Sequence, residues 1–170
     1  MELTHALIDA RRWLASCSAE DIDHLRSVCL DIHEAEKRLM QASAFYLQRC
    51  IHHCEGLCCR NVFLGEVMGF EDFCFLLVLR PDCFEALFSQ ASHLKTMFTA
   101  DCPFLLNGVG PCSLPEAVRP EVCITSFCMQ TPDADAAIGA VQARFRKLSR
   151  IIRWIRCKQL FRKMVSSFSA

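Results

Sequence analysis

The chain is poor in the residues that interrupt regular structure, with six glycines and six prolines among 170 residues. That scarcity excludes a collagen-like architecture, and no low-complexity tract is present. A long apolar run is also missing. The most apolar window, Val67 to Leu79, is broken by Glu71 and Asp72, and nothing reaches the ~18 consecutive apolar residues of a membrane helix. An export signal is not recognisable. Met1-Glu2-Leu3-Thr4-His5 opens with an acid instead of bases, and Arg11-Arg12 is followed only by Trp13-Leu14-Ala15 before polar sequence resumes, so there is no apolar core of a signal peptide. The expected compartment is the reducing cytoplasm. Net charge is absent too, because 19 Lys+Arg balance 19 Asp+Glu. Finally, acids are missing after Asp135, although bases are dense there.

What is abundant is cysteine, at 13 residues, several times ordinary usage. Apolar residues make up 52% and charged residues 22%, a balance that excludes a wholly disordered chain. The length suits one domain with a real core. In a reducing compartment, dense cysteines point to metal before disulfides.

Apolar periodicity predicts a mainly α single domain of packed helices with an irregular cysteine-rich region in the middle. The helical N-terminus covers residues 1–49. Leu3, Ala6, Leu7, Ala10 and Leu14 mark a first helix over 2–16. Ser18 followed by Glu20 and Asp21 signals a helix start. From there a stripe of Ile22, Leu25, Cys29, Ile32, Ala35, Leu39, Ala42, Phe45 and Tyr46 runs to about Arg49. Residues 50–131 form the cysteine-cluster region, with short helices expected at 70–79 and 82–98 and an irregular loop from Asp101 to Gln130. So long a loop needs something to hold it together, and a metal would do so. A basic C-terminal helix follows over 132–166, its buried stripe being Ala137, Val141, Phe145, Leu148, Ile151, Ile152 and Ile155.

Eight cysteines fall into two groups of four. The first is Cys50-x3-Cys54-x3-Cys58-Cys59, and the second is Cys102-x9-Cys112-x10-Cys123-x4-Cys128. Thiolates are the soft ligands preferred by zinc and by iron–sulfur clusters, and four complete a tetrahedral set. Cys50 and Cys54, at i and i+4, face one side of a helix end, and Gly56 permits the sharp turn that returns Cys58 and Cys59. In an extended segment those two neighbours point to opposite faces and so can serve different centres. The remaining five, Cys17, Cys29, Cys74, Cys83 and Cys157, lie on apolar helix faces and read as small core residues.

The stretch Cys50-Ile-His-His-Cys-Glu-Gly-Leu-Cys-Cys59 resembles the opening motif of the YkgJ-type cysteine-cluster proteins, a zinc- or iron-chelating family. Cys102-Pro-Phe-Leu105, Gly110-Pro-Cys112, Arg119-Pro-Glu-Val-Cys123 and Phe127-Cys128 resemble its second half in order and type. The resemblance spans about residues 50–128 and implies a small metal-chelating domain with these eight cysteines as ligands. The departures are longer gaps in the opening, Pro115 where an aromatic is common, and Ile124 where Arg is usual. The looser opening is also similar to the cysteine block of flagellin lysine N-methylases, which implies the alternative of an iron–sulfur redox or protein-lysine methyl-transfer-associated protein.

Spacing leaves zinc and iron–sulfur open. Phe70, Phe73, Phe75, Phe84, Phe88, Phe98 and Phe104 would make a dry shell able to tune a redox centre, and read more plainly as core. His52 and His53 can ligate or support a thiolate, and Arg119 can donate to one. Glu66, Glu71 and Asp72 read as solvated acids, since no base is paired with them. No phosphate loop, nucleophile elbow or H-E-x-x-H is present, so local motifs support no catalytic activity.

Charge is strongly segregated. Nine bases between Arg144 and Lys163 meet no acid, whereas the first 143 residues set ten bases against nineteen acids, a net of −9. The basic helix is expected to lie against the acidic body, with an acidic partner or membrane surface as the other candidates. Nucleic acid is disfavoured because Phe145, Phe161 and Phe168 are expected to pack inward, leaving Trp154 as the nearby aromatic.

Overall fold

Alternating helix-start chemistry and apolar stripes dictate the architecture. The computed structural model describes residues 3–46, 68–92, 102–106, 112–115, 118–126 and 132–168. Six α-helices are named here in chain order: α1 (Leu3–Ala15), α2 (Ala19–Ala42), α3 (Phe70–Leu79), α4 (Phe84–Ser92), α5 (Glu121–Thr125) and α6 (Asp135–Phe168). Short 3-10 turns at Pro81–Cys83 and Pro132–Ala134 lead into α4 and α6. Among the described residues there is no strand, only one isolated antiparallel bridge between Leu105 and Cys112. The mainly α, packed-helix expectation is what forms.

Helix α1 buries Leu3, Ala6, Leu7 and Ala10 at helical spacing. Ser18 then starts α2. Its backbone is extended (φ −69°, ψ 159°), and its Oγ accepts the Asp21 N–H at 3.2 Å while donating to Asp21 Oδ2 at 2.7 Å. Glu20 and Asp21 in the first turn suit the positive end of the helix dipole. Leu25, Val28, Cys29, Ile32, Ala35 and Leu39 form the buried stripe of α2.

The stripe ends earlier than expected. Ser43 donates its backbone N–H to Leu39 O at 2.8 Å and closes α2, and the helical turn that resumes at residues 44–46 is out of phase with the core. Phe45 is consequently 73% exposed, packed edge-on against Tyr46 with ring centroids 5.6 Å apart.

Helix α3 is the most buried element, with Phe73 to Val78 continuously inside. An all-round apolar helix must be covered on every side, and α1, α2 and α6 cover it. Phe75 meets Phe145 of α6 edge-to-face at 5.1 Å, and Trp13 of α1 meets Phe70 at 5.5 Å. Asp72, expected to be solvated, instead caps α3: its Oδ2 accepts the Gly69 N–H at 2.9 Å. Burial pushes its carboxyl up, opposed by bonds from the Gly69 and Glu121 backbone.

Helix α6 lays Val141, Phe145, Leu148, Ile152 and Ile155 against α2. Lys158 of α6 bonds the buried Asp21, Lys147 Nζ lies 3.8 Å from Asp31 Oδ2, and Trp13 Nε1 donates to Gln159 Oε1 at 2.9 Å. The basic helix thus packs on the acidic N-terminal helices. No helix among the described residues is long and apolar enough to cross a membrane.

Candidate metal centre

The second cysteine group sits on more regular structure than a free loop. Leu105 donates its N–H to Cys102 O at 3.2 Å, closing a turn through Pro103 and Phe104. The chain then pairs with the returning segment: Leu105 bridges Cys112, and the Ser113 N–H reaches Phe104 O at 2.6 Å. Phe104, Leu105 and Leu114 are buried and fix this small clasp to the core. Ser113 Oγ donates to Gln90 Oε1 of α4 at 3.3 Å. Cys102 is buried within the clasp and Cys112 half-buried at its edge.

Cys123 rides on α5, a single helical turn begun by Pro120 (φ −56°, ψ 150°), whose fixed φ suits that position. Ile124 points into the core and Cys123 is exposed. The expected irregular loop from 101 to 130 therefore contains a bridge and a helical turn, because Phe104, Leu114, Val118 and Ile124 have core to bury against.

Cys102, Cys112 and Cys123 are the candidate ligands that fall among the described residues. Cys50, Cys54, Cys58, Cys59 and Cys128 lie outside them, as do His52, His53, Glu66 and Phe98. Among the described residues no three His, Cys, Asp or Glu side chains gather in a way that could hold a metal ion. The soft donors of the second group fit a thiophilic ion chemically. A closed tetrahedral site needs more ligands than these three positions bring together.

The five cysteines expected in the core divide. Cys29 and Cys74 are fully buried. Burial, helped by the charge of Glu36, pushes the Cys29 thiol up to about 12, and burial likewise raises Cys74; such thiols are inert. Cys17 and Cys83 are half-buried. Cys17 Sγ donates to Trp13 O at 3.4 Å and has its thiol raised chiefly by burial. Cys157 is exposed, contrary to expectation. The core face of α6 runs through Ile152 and Ile155, and Cys157, two residues beyond Ile155, is carried to the outer side.

A polar group that the sequence reading passed over sits beside α5. Glu36 of α2 is 2% exposed, and neither of its carboxylate oxygens has a hydrogen-bond partner. Burial pushes its carboxyl up to about 9, against the opposing pull of the Arg119 guanidinium. His33 Nδ1 is 3.8 Å from Glu36 Oε2, too far for a hydrogen bond. Burial lowers the His33 pKa, so at neutral pH both partners are uncharged and the contact is not an ion pair. Arg119 Nε and Ser43 Oγ are also buried without partners. The signal was present in the sequence, since Leu25, Cys29, Ile32, Glu36 and Leu39 share one spacing and place an acid in the middle of an apolar stripe.

A cleft of 470 Å³ opens elsewhere, lined by Asp9, Arg12, Trp13, Ser16, Phe70 and Arg156. Its Ser16 Oγ is committed to Trp13 O at 2.7 Å, and its lining holds no histidine to activate a nucleophile. Comparison of the chain with family models, curated proteins and solved structures finds no match.

Proposed function

We propose that the protein is a metal-binding module of a reducing, cytoplasmic compartment, holding zinc or an iron–sulfur cluster through the thiolates of Cys50, Cys54, Cys58, Cys59, Cys102, Cys112, Cys123 and Cys128. The observation that carries this reading is the ordered pair of four-cysteine groups. Consistent with it, two described members of the second group, Cys102 and Cys112, sit on a clasp anchored to the core by Phe104. Metal ligation requires such thiols deprotonated. The iron–sulfur form is supported further by the dry surroundings of Cys102, which follow from buried Phe104 and Leu105. The module acts as a binding or electron-carrying protein, in keeping with a sequence that carries no phosphate loop, nucleophile elbow or H-E-x-x-H.

Elemental analysis of anaerobically purified protein, with visible absorbance and acid-labile sulfide, tests the reading. The expected result is stoichiometric iron with sulfide and a brown colour, or stoichiometric zinc in colourless protein. The paired variant C102S/C112S should lower the bound metal. Protein that carries neither metal, or whose metal content ignores that variant, refutes the proposal. Structural zinc contributes roughly 10–16 kcal/mol in small peptides, more than the ~5–15 kcal/mol that holds most domains. Chelation should therefore open the clasp and expose Phe104 to chymotrypsin.

A further inference from the structure

Helix α6 carries two apolar faces. At 100° per residue, Leu148, Ile152 and Ile155 define the face against α2, and Trp154, Cys157, Phe161, Met164 and Val165 cluster within an arc of about 100° roughly opposite to it. The outer residues are open to solvent: Trp154 is 56% exposed, Phe161 68% and neighbouring Leu160 61%, with Met164 and Val165 exposed as well. Burial on the inner face ends at Ile155, and beyond half-buried Gln159 every residue of α6 whose side chain is described is exposed. Large apolar side chains collected on one exposed face mark an interaction surface.

Charge says what that surface meets. Arg146, Arg150 and Arg153 precede or flank the outer stripe, whereas Arg162 follows the azimuth of Ile155 beyond the point where the inner face is covered; all four are exposed. Arg150, Arg153 and Arg162 form no ion pair among the described residues, in contrast to Lys147 and Lys158. Lys158 Nζ stands 4.6 Å above the Trp154 ring, so a cation also borders the aromatic anchor. No acid follows Asp135.

We propose that the outer face of α6 from Arg146 to Val165 docks on an anionic lipid surface, with Trp154, Leu160 and Phe161 entering the headgroup–acyl boundary and Arg150 and Arg153 meeting lipid phosphates. A basic helix with a tryptophan-bearing apolar stripe lies in the interface plane in this way. A second copy of the chain is a poor occupant, because matching stripes would bring two acid-free basic helices together. Nucleic acid would leave Leu160 and the other aliphatic residues of the stripe without a partner, as its backbone is read by charge and its bases by stacking.

The experiment is co-sedimentation of the full chain with phosphatidylcholine vesicles, with and without phosphatidylglycerol, followed by Trp fluorescence. Binding is expected only with phosphatidylglycerol, to weaken with salt, and to shift Trp emission to the blue. W154F should remove most of the shift, because Trp13 is half-buried and tied to Gln159 away from the outer stripe. Each of R150Q and R153Q should lower partitioning roughly fivefold, and F161S roughly tenfold. L160S provides a second apolar deletion, and both apolar positions are exposed enough that thermal midpoints should not move. Absence of binding to anionic vesicles overturns the proposal, as does binding that F161S and L160S leave intact. Self-association abolished by F161S, or capture of an acidic amphipathic peptide without vesicle binding, would reassign the face and likewise overturn it.

Discussion

Replacing Glu36 by glutamine removes the least exposed carboxyl among the described residues. In the folded state the carboxyl holds its proton to about pH 9, whereas an unfolded glutamate releases it near 4.5. The native state therefore binds more protons than the unfolded state throughout that window, and stability falls as pH rises. Below pH 4.5 both states are protonated and Glu36 adds no slope. At pH 7 the chain has climbed about 2.5 units into the window, at about 1.4 kcal/mol per unit, a penalty of about 3 kcal/mol. At pH 8.5 the penalty approaches about 5 kcal/mol by the same arithmetic. Glu36→Gln keeps the shape and the polar head but cannot titrate. Urea denaturation of both proteins at pH 5, 7 and 8.5 should show near-equal stability at pH 5 and a widening advantage for the variant above it. Taking the difference cancels the contributions of Asp21, which slopes the opposite way in acid, and of Asp72, which slopes the same way as Glu36. A constant difference across the three pH values, or a variant less stable at pH 8.5, refutes the assignment of Glu36 as a buried, protonated acid.

Three further perturbations probe other parts of the molecule. Lys158→Met leaves the buried Asp21 with Ser18 alone and should cost about 2–3 kcal/mol at pH 7. The Lys158 bond is the first cause of Asp21's lowered pKa, so the deficit should shrink as pH falls below the ordinary aspartate range of about 4, and a deficit that persists there in full counts against the pair. Phe75→Ala empties the contact with Phe145 at the centre of the core and should lower stability by about 3–5 kcal/mol in a denaturant titration; a loss below ~1 kcal/mol would mean the site collapses around the gap. Iodoacetamide labelling of the native protein, read by mass spectrometry, should modify exposed Cys157 before buried Cys29 and Cys74. Equal labelling of all three in the folded state would contradict the burial that raises the latter two.

Periodicity carried most of the helical plan, because an amphipathic stripe reports the direction of the core. It located α1, α3 and most of α2 and α6 to within a few residues. It failed where two stripes coexist or where a cap intervenes. Phe45 continues the α2 pattern on paper, but the backbone closure at Ser43 shifts the phase. Phe161, expected to pack inward, follows the outer stripe of α6 and is exposed; Phe168 has its side chain outside the described residues. Of the phenylalanines read as a shell or core, Phe73, Phe75 and Phe104 are buried, while Phe88 reaches the surface of α4. The cysteine spacing named the candidate ligands directly, since it needs no knowledge of the fold. Their convergence is a three-dimensional property that spacing does not contain. Glu36 was visible as an acid on an apolar stripe, yet its consequence depends on Arg119, which is distant in sequence and near in space.

Opposite charge alone does not account for the basic helix. Among the described residues, packing against the acidic body uses two of its nine bases in ion pairs, Lys147 with Asp31 and Lys158 with Asp21. Arg156 stacks over the Phe70 ring at 4.9 Å, while Arg144 and Arg150 bond carbonyls of their own helix. The apolar face fixes where α6 lies, and a helix held by Phe145, Leu148, Ile152 and Ile155 would need few of these charges for stability. Exposed ion pairs such as Lys147 with Asp31 contribute ~0–1 kcal/mol each, less than a single buried isoleucine. Arg150 and Arg153, which join no ion pair among the described residues, lie on the same side of the helix as the exposed apolar stripe. A fold requirement explains neither, whereas a charged apolar surface outside the protein explains both.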